Sequence, residues 1–143
     1  TLAQEVETLK LYLEIEKMRF EDRLRPHFKI QAETIGARLP SLLLQPLIEN
    51  AIKYAVTPSE TGADIWINAT REGQAVRLEV ADNGSGEGSG LAASPSTGVG
   101  LANIRDRLAQ AYGAAHGFST RQNDQGGFSV IIEIPYETGE TNS

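Results

Sequence analysis

Large apolar side chains recur at steps of three or four residues along the first part of the chain. They form one stripe: Leu2, Val6, Leu9, Leu13, Phe20 and Leu24. This spacing predicts a long amphipathic helix over residues 2–24, whose apolar side needs a partner surface. Pro26 ends that helix. The alternating residues that follow predict a strand over residues 27–34, with Phe28 and Ile30 on one side.

A second helix is predicted in the middle of the chain, where two neighbouring apolar rows repeat with helical spacing. The rows are Leu43, Leu47 and Ala51, with Leu44, Ile48 and Ile52 beside them. Pro40 can be the first residue of this helix, which places Pro46 in its first turns. A third helix is predicted from Leu101, Ile104, Leu108 and Tyr112, and Gly113 ends it.

Two β-hairpins are predicted from alternating segments. Apolar residues alternate on both sides of a turn at residues 71–74, and a second hairpin runs from about Phe118 to Pro135 around residues 123–127. Residues 85–97 contain one large apolar side chain, Leu91, so we expect a mobile loop there. The order α-β-α-β-β-α-β-β predicts a two-layer α/β sandwich with one mixed, mostly antiparallel sheet and helices on one face.

Composition and charge narrow the possible functions. The 143 residues, 40% of them apolar, suffice for one hydrophobic core, and the absence of cysteine excludes thiol nucleophiles and zinc knuckles. A net charge of −6 argues against nucleic acid as a partner, so any phosphate must be held locally. No apolar run approaches the roughly 18 residues of a membrane span. We therefore expect a soluble single domain that makes no direct contact with a membrane.

Three short segments carry candidate chemistry. The first, Leu47-Ile-Glu-Asn-Ala-Ile-Lys-Tyr54, lies on the middle helix, where Glu49, Asn50 and Lys53 share the side opposite the apolar stripe. This side could simply face solvent. Alternatively, an inward-facing Asn50 would supply a neutral oxygen ligand of the kind that Mg²⁺ accepts beside phosphate oxygens.

The second segment, Asp82-Asn-Gly-Ser-Gly86, follows an alternating strand. Asp82 could be an ordinary turn residue. Its carboxylate could instead accept a hydrogen bond from an exocyclic amine such as that of adenine, with Gly84 and Gly86 letting the backbone approach a nucleotide. The third segment, Gly98-Val-Gly-Leu-Ala-Asn103, leads into a predicted helix, whose free N–H groups attract anions. It is not a dinucleotide fingerprint, because Asn103 occupies the third glycine position.

In this order the three segments resemble the N, G1 and G2 boxes of the GHKL (HATPase_c) superfamily of ATP-binding domains. Residues 11–20, 39–53 and 100–108 are similar to the LytS-type branch of sensor histidine kinases, and the resemblance runs from about Leu2 to Pro135. It implies the Bergerat fold and Mg-ATP as cofactor. Asn50 would bind Mg²⁺, Lys53 would lie near the phosphates and Asp82 would recognise adenine. The 85–97 loop would be an ATP lid, with Gly98, Val99, Gly100, Leu101 and Asn103 at the phosphates.

The sequence also departs from the family pattern. Tyr54 and Ala55 stand where the branch often has His-Gly, so any role of that histidine falls to the Tyr54 hydroxyl, and Phe128 replaces a threonine usually found near adenine. Pro46 occupies the position of the gyrase-type general base, so hydrolysis by water is not expected as the main reaction. Glu49 is the nearest candidate for a catalytic acid or base.

The resemblance implies a domain arrangement and partners. Residues 1–25 would lead from a phosphoacceptor region absent from this chain, residues 26–136 would form the catalytic domain, and residues 137–143 would be a disordered tail. His27 follows the first helix, whereas the acceptor motif of the family precedes it, so we expect the acceptor elsewhere. Partners would be an upstream acceptor helix, a response regulator and a possible second copy, in the cytoplasmic part of a membrane-anchored bacterial kinase. The alternatives are a non-catalytic regulatory GHKL module and a GHKL serine kinase of the anti-sigma type.

Overall fold

The computed structural model describes residues 1–40, 43–57, 60–84, 95–122 and 127–137, and of residues 54 and 95–102 only the backbone. The helices are α1 (Leu2–Phe20), α2 (Gln45–Ala51) and α3 (Pro95–Tyr112). The strands are β1 (Leu24–Ile30), β2 (Ala63–Glu72), β3 (Ala75–Asp82), β4 (Gly117–Gln122) and β5 (Phe128–Pro135). This order of elements agrees with the prediction.

The first boundary lies earlier than the apolar pattern predicts. Helix α1 ends at Phe20, a short 3-10 turn follows over Glu21–Arg23, and β1 begins at Leu24 rather than at residue 27. Leu24 is fully buried in the strand, so its apolar side chain fits either conformation and could not mark the end of the helix. Pro26 is accommodated because β1 is an edge strand. The predicted strand also ends early, at Ile30, before a 3-10 turn at Ala32–Thr34.

Helix α2 begins five residues later than predicted, at Gln45 instead of Pro40. The reason is Pro46, whose ring would clash with the carbonyl group four residues earlier in a longer helix and is therefore tolerated only in the first turn. A π-helical turn, Ile52–Val56, continues α2. The polar residues predicted on the middle helix therefore lie partly on α2 and partly on the π-helical turn.

Helix α3 differs in the opposite direction, since it begins at Pro95, six residues before the predicted Leu101. Proline suits the first helical position because its fixed φ fits a helix and its missing N–H would have no partner there. Of the predicted 85–97 loop, residues 85–94 lie outside the described residues and residues 95–97 are helical. Gly113, with φ of 59°, follows the end of α3 as predicted.

The five strands form one mixed sheet in the order β1-β2-β3-β5-β4, in which only β1 and β2 run parallel. Alternate residues of the central strands are buried on one face: Ile65 and Ile67 of β2, Val76, Leu78 and Val80 of β3, and Ile132 and Ile134 of β5. These side chains share one apolar core with buried residues of all three helices. The predicted two-layer sandwich is confirmed.

Helix α1 buries the predicted stripe in this core and keeps a second apolar stripe outside. Leu11, Ile15 and Met18, on the side of the helix opposite the buried residues, are 62%, 63% and 80% exposed. The partner surface for the buried stripe of α1 is therefore the core of the domain itself. No helix in the described part of the chain combines the length and the apolar character that a membrane crossing requires.

Candidate nucleotide-binding site

Asp82 is the last residue of β3 and lies on the helix-covered face of the sheet. Along β3 it continues the buried series of Val76, Leu78 and Val80, and in the ladder it stands between Ile65 of β2 and Phe128 of β5. The side chain is 7% exposed. A carboxylate is thus embedded at the edge of the apolar core, where an ordinary turn residue would be exposed to solvent.

Two backbone groups hold this carboxylate. The Gly84 N–H donates to Asp82 Oδ1 over 3.0 Å, and the Phe128 N–H is a second donor. Burial nevertheless raises the pKa of Asp82 from 3.8 to about 6, because desolvation of the charged form outweighs the two hydrogen bonds that favour it. The carboxylate is therefore ionised at neutral pH and surrounded by little water, which strengthens a hydrogen bond to a ligand donor.

Close contacts leave no room for a side chain at two glycines near Asp82, Gly84 and Gly127. A Cβ on Gly84 would lie 2.7 Å from the Ala55 Cβ, and a Cβ on Gly127, where φ is 105°, would lie 2.2 Å from the Asp82 carbonyl oxygen. A Cβ on Gly84 would meet Ala55 first, so the turn after β3 rests directly on the π-helical turn that follows α2.

The polar residues of the middle helix lie on one side, as predicted. Asn50 is half-buried, whereas Glu49 and Lys53 are exposed. Glu49 Oε2 accepts a hydrogen bond from Gln45 Nε2 over 3.1 Å. Tyr54 lies in the π-helical turn, and its side chain is outside the described part. Asn50 therefore has the partial access that a magnesium ligand needs, while the carboxylate of Glu49 is oriented by its neighbour one turn earlier.

Helix α1 lies beside α2 and is joined to its start by a hydrogen bond. The buried Glu5 Oε2 accepts a hydrogen bond over 2.7 Å from the backbone N–H of Leu44, the residue that precedes α2. The pKa of Tyr12 is raised to about 12, first by burial and then by the negative charges of Glu16 and Glu49. Glu49 thus faces α1, which was not foreseen from the sequence.

The third segment is placed on α3. Gly98, Val99, Gly100 and Leu101 lie within its first two turns and Asn103 is exposed further along, so the glycines are inside the helix rather than ahead of it. Gly86 lies outside the described residues. Because α2 contacts both β3 and α3, it is the common neighbour of the elements that carry the three motifs. In residues 1–40, 43–57, 60–84, 95–122 and 127–137 there is no cluster of three or more histidine and acidic side chains that could itself hold a metal ion.

Three hydrogen-bonded side chains near Asp82 could not be recognised as neighbours from the sequence. Asn83, whose side chain lies on the outer face of the sheet, is hydrogen-bonded to Asp64 at the start of β2, and Asp64 is hydrogen-bonded to His27 of β1. Along the sequence, Asn83 is 19 positions from Asp64 and His27 is 37 positions from it. Only the register of β1, β2 and β3 brings them together, and a strand pairing between distant segments has to be known before they can be recognised as neighbours.

A mixed sheet with helices on one face is the arrangement expected of a GHKL domain. Residues 36–138 match the family model described as histidine kinase-, DNA gyrase B-, and HSP90-like ATPase. This match covers more than half of the chain. The chain belongs to that family.

Curated relatives are sensor kinases of considerably greater length. The chain is 35% identical over 136 residues to the sensor histidine kinase YesM of Bacillus subtilis and 33% identical over 136 residues to BtsS of Escherichia coli, covering 94% and 95% of this chain and 24% of each relative. It is 32% identical over 149 residues to the sensor protein LytS of Streptococcus mutans, covering 98% of this chain and 25% of that protein. The chain thus spans about a quarter of the length of these relatives.

Solved structures agree on the fold. The catalytic domain of the histidine kinase ThkA superimposes with a TM-score of 0.68 at 20% identity, covering 94% of this chain and 93% of that one. ThkA in complex with the response regulator TrrA also gives 0.68, at 18% identity, covering 98% of this chain and 42% of that one. The predicted fold class is confirmed.

Proposed function

We propose that this chain is the catalytic, ATP-binding domain of a two-component sensor histidine kinase, which binds Mg-ATP and donates the γ-phosphoryl group to a histidine outside this chain. The observation that carries the proposal is Asp82, an ionised carboxylate desolvated at the end of β3 and oriented by two backbone donors. An amino group is the natural donor to such an acceptor. The similarity to sensor kinases supports the same assignment.

In this proposal the turn after β3 recognises adenine. The carboxylate of Asp82 accepts a hydrogen bond from the exocyclic amine, and the glycines at 84 and 86 keep side chains away from the base. Phe128, beside Asp82 in the ladder, takes the place of the usual threonine and offers an apolar edge instead of a hydroxyl group. The base is thus recognised by one charged hydrogen bond and by apolar contacts.

The phosphates are assigned to the polar side of α2 and to the start of α3. Asn50 would be the protein ligand of Mg²⁺, an ion that commonly keeps water and phosphate oxygens as its other ligands. When bound, Mg²⁺ neutralises charge on the transferred phosphoryl group. Lys53 and Tyr54 would lie near the phosphate tail, with Gly98, Val99, Gly100, Leu101 and Asn103 contributing from α3. Glu49 is proposed as the catalytic acid or base.

The transfer would break the bond between the γ-phosphorus and the bridging oxygen, releasing ADP, and would form a bond from phosphorus to the unprotonated nitrogen of an imidazole ring. The proton on the other ring nitrogen would pass to a base, for which Glu49 is the proposed candidate. His27 is not assigned as that acceptor, because it lies on β1 and its Nε2 is 2.9 Å from Asp64 Oδ1. The acceptor would be on an upstream helix of the same kinase, with a response regulator receiving the group. Because ATP is supplied by the cytoplasm, this domain would be cytoplasmic. A second copy of the kinase would be a further partner.

Isothermal calorimetry with ADP in the presence and absence of Mg²⁺ tests the proposal. We expect Mg²⁺-dependent binding that Asp82→Asn abolishes and that Asn50→Ala makes independent of Mg²⁺. Asn68→Ala, which changes an asparagine on the outer face of β2, is the matched control and should bind like the unchanged chain. Binding without any Mg²⁺ dependence would favour the regulatory module, and equal binding by Asp82→Asn would refute the role of Asp82. After incubation with ATP, mass spectrometry should find no phosphate on His27.

A further inference from the structure

Asn83, the residue after Asp82, is bound to Asp64 by three hydrogen bonds. Asn83 Nδ2 donates to Asp64 Oδ2 over 3.0 Å, the Asp64 N–H donates to Asn83 Oδ1 over 2.6 Å, and the Asn83 N–H donates to the Asp64 carbonyl oxygen over 3.3 Å. Asp82 pairs with Ile65, so Asn83 and Asp64 extend the ladder by one position. The turn that follows β3 is therefore fastened to β2 through side chains.

Asp64 is itself held from the opposite side by β1. Its Oδ1 accepts from Arg25 Nε over 3.1 Å and lies 2.9 Å from His27 Nε2. The Arg25 guanidinium also donates to the Asp22 and Thr61 carbonyl oxygens, which fixes its direction. These contacts lower the pKa of Asp64, and the hydrogen bond to His27 is the largest cause. One carboxylate oxygen is thus occupied by β1 and the other by Asn83.

The side chains of Asp82 and Asn83 leave β3 on opposite faces of the sheet, and both fix the same turn. Asp82 Oδ1 accepts from the Gly84 N–H, while the backbone and side chain of Asn83 are fastened to Asp64. Gly84 rests on Ala55, so the turn cannot shift toward α2 without a clash. If Asn83 is released, the peptide between Asn83 and Gly84 can rotate and the Gly84 N–H loses its direction toward the carboxylate of Asp82.

We propose that Asp64 is a positioning residue for adenine recognition, acting from the outer face of the sheet through Asn83 on the orientation of the Asp82 carboxylate. This inference rests on the proposed function of Asp82. His27 and Arg25 serve the same purpose one step further away, by holding Asp64 in place. A merely structural role, in which these residues only join β1 to β2, would change stability without changing which base is preferred.

The test compares ADP with inosine diphosphate (IDP), which has a carbonyl oxygen in place of the exocyclic amine. Calorimetry at 10 °C measures both dissociation constants for the unchanged chain, Asp64→Asn, Asn83→Asp and the double variant that exchanges the two side chains. Each single variant should weaken ADP binding about tenfold, the size of one hydrogen bond to a charged group, and should reduce the preference for ADP over IDP. The double variant again pairs an amide with a carboxylate and should recover the original preference.

Glu79→Gln is the matched control, because Glu79 is a carboxylate on the outer face of the neighbouring strand β3 and is bonded to Asn68 and Arg77. It should leave the ADP preference unchanged. If circular dichroism at 10 °C shows that a single variant is unfolded, Asn83→Ala replaces it, since alanine removes both side-chain hydrogen bonds to Asp64 without adding charge. An unchanged ADP-to-IDP ratio in folded single variants, with Asp82→Asn still abolishing binding, would overturn this inference alone. Absence of ADP binding by the unchanged chain would overturn the proposed function and this inference with it.

Discussion

The carboxylate that we assign to adenine should destabilise the domain when no ligand is bound. Burial raises the pKa of Asp82 from 3.8 to about 6 in the folded chain, whereas the unfolded chain keeps the ordinary value. Between these two values the folded chain binds more protons than the unfolded chain, so the free energy of unfolding falls as the pH rises. Above about pH 7 this loss is nearly complete, because Asp82 is then ionised in both states.

The size of the effect follows from the two pKa values. They differ by about two units, and each unit corresponds to about 1.4 kcal/mol, so ionised Asp82 costs the folded chain about 3 kcal/mol. Asp82→Asn removes the charge, and its amide oxygen can still accept from the Gly84 and Phe128 N–H groups. Since the new NH₂ group is left in an apolar site, at a cost of about 1–3 kcal/mol, we expect a net gain of up to about 2 kcal/mol at pH 8. That gain corresponds to a rise in melting temperature of up to roughly 6 °C for a chain of this length.

Urea unfolding of the unchanged chain and of Asp82→Asn, followed by circular dichroism from pH 4 to pH 8, measures this difference directly. Relative to the unchanged chain, Asp82→Asn should gain about 3 kcal/mol of stability between pH 4 and pH 7, and the difference should stay constant above pH 7. Glu79→Gln, on the same strand but on the outer face of the sheet, should show no comparable divergence. A difference that is independent of pH, or that favours the unchanged chain at pH 8, would refute the electrostatic reasoning.

Two further substitutions test the contacts that join the elements of the site. Gly84→Ala should lower the free energy of unfolding by about 1–3 kcal/mol, because its Cβ would lie 2.7 Å from the Cβ and 2.9 Å from the Cα of Ala55. Urea titration should show only partial recovery in the double variant with Ala55→Gly, because the contact with the Cα remains. Full stability of Gly84→Ala alone would contradict the close contact. Glu5→Ala should cost about 1–3 kcal/mol in the same assay by leaving the Leu44 N–H without its acceptor, and Glu5→Gln should cost less. Equal losses in the two Glu5 variants would mean that the hydrogen bond is not the reason.

The sequence predicted which elements form more reliably than where they begin. Apolar residues alternate in β2 and β3 because one face of the sheet is buried. The strands predicted from this alternation are confirmed, since Ile65 and Val80 lie on the buried face. The predicted boundaries were wrong where an apolar side chain can be buried equally well in a helix or in a strand, as at Leu24. They also failed where a proline can serve either as the start of a helix or as a member of its first turn, as at Pro40 and Pro46.

Asp82 and Asn50 could be selected from the sequence because each belongs to a short local motif. The placement of Asp82 on the helix-covered face follows from the alternation of β3, in which it continues the buried series. Asp64, by contrast, has no local motif. Its contacts with His27 and Asn83 require a parallel pairing with β1 and an antiparallel pairing with β3, and such non-local pairings are not encoded by the spacing of neighbouring residues.

Asp82 and Asp64 lie one position apart in the ladder, yet the two faces of the sheet treat their charges in opposite ways. On the helix-covered face desolvation dominates and raises the pKa of Asp82, and its backbone donors only partly compensate. On the outer face, hydrogen bonds from His27, Asn83 and Arg25 outweigh desolvation and lower the pKa of Asp64. A carboxylate that must accept a ligand donor cannot have its oxygens filled by protein cations, because the ligand would then have to displace them. In our proposal, fixing the turn from the outer face separates these requirements: Asp64 takes the contacts with Arg25 and His27, and Asp82 keeps free acceptor capacity for an amine of the ligand.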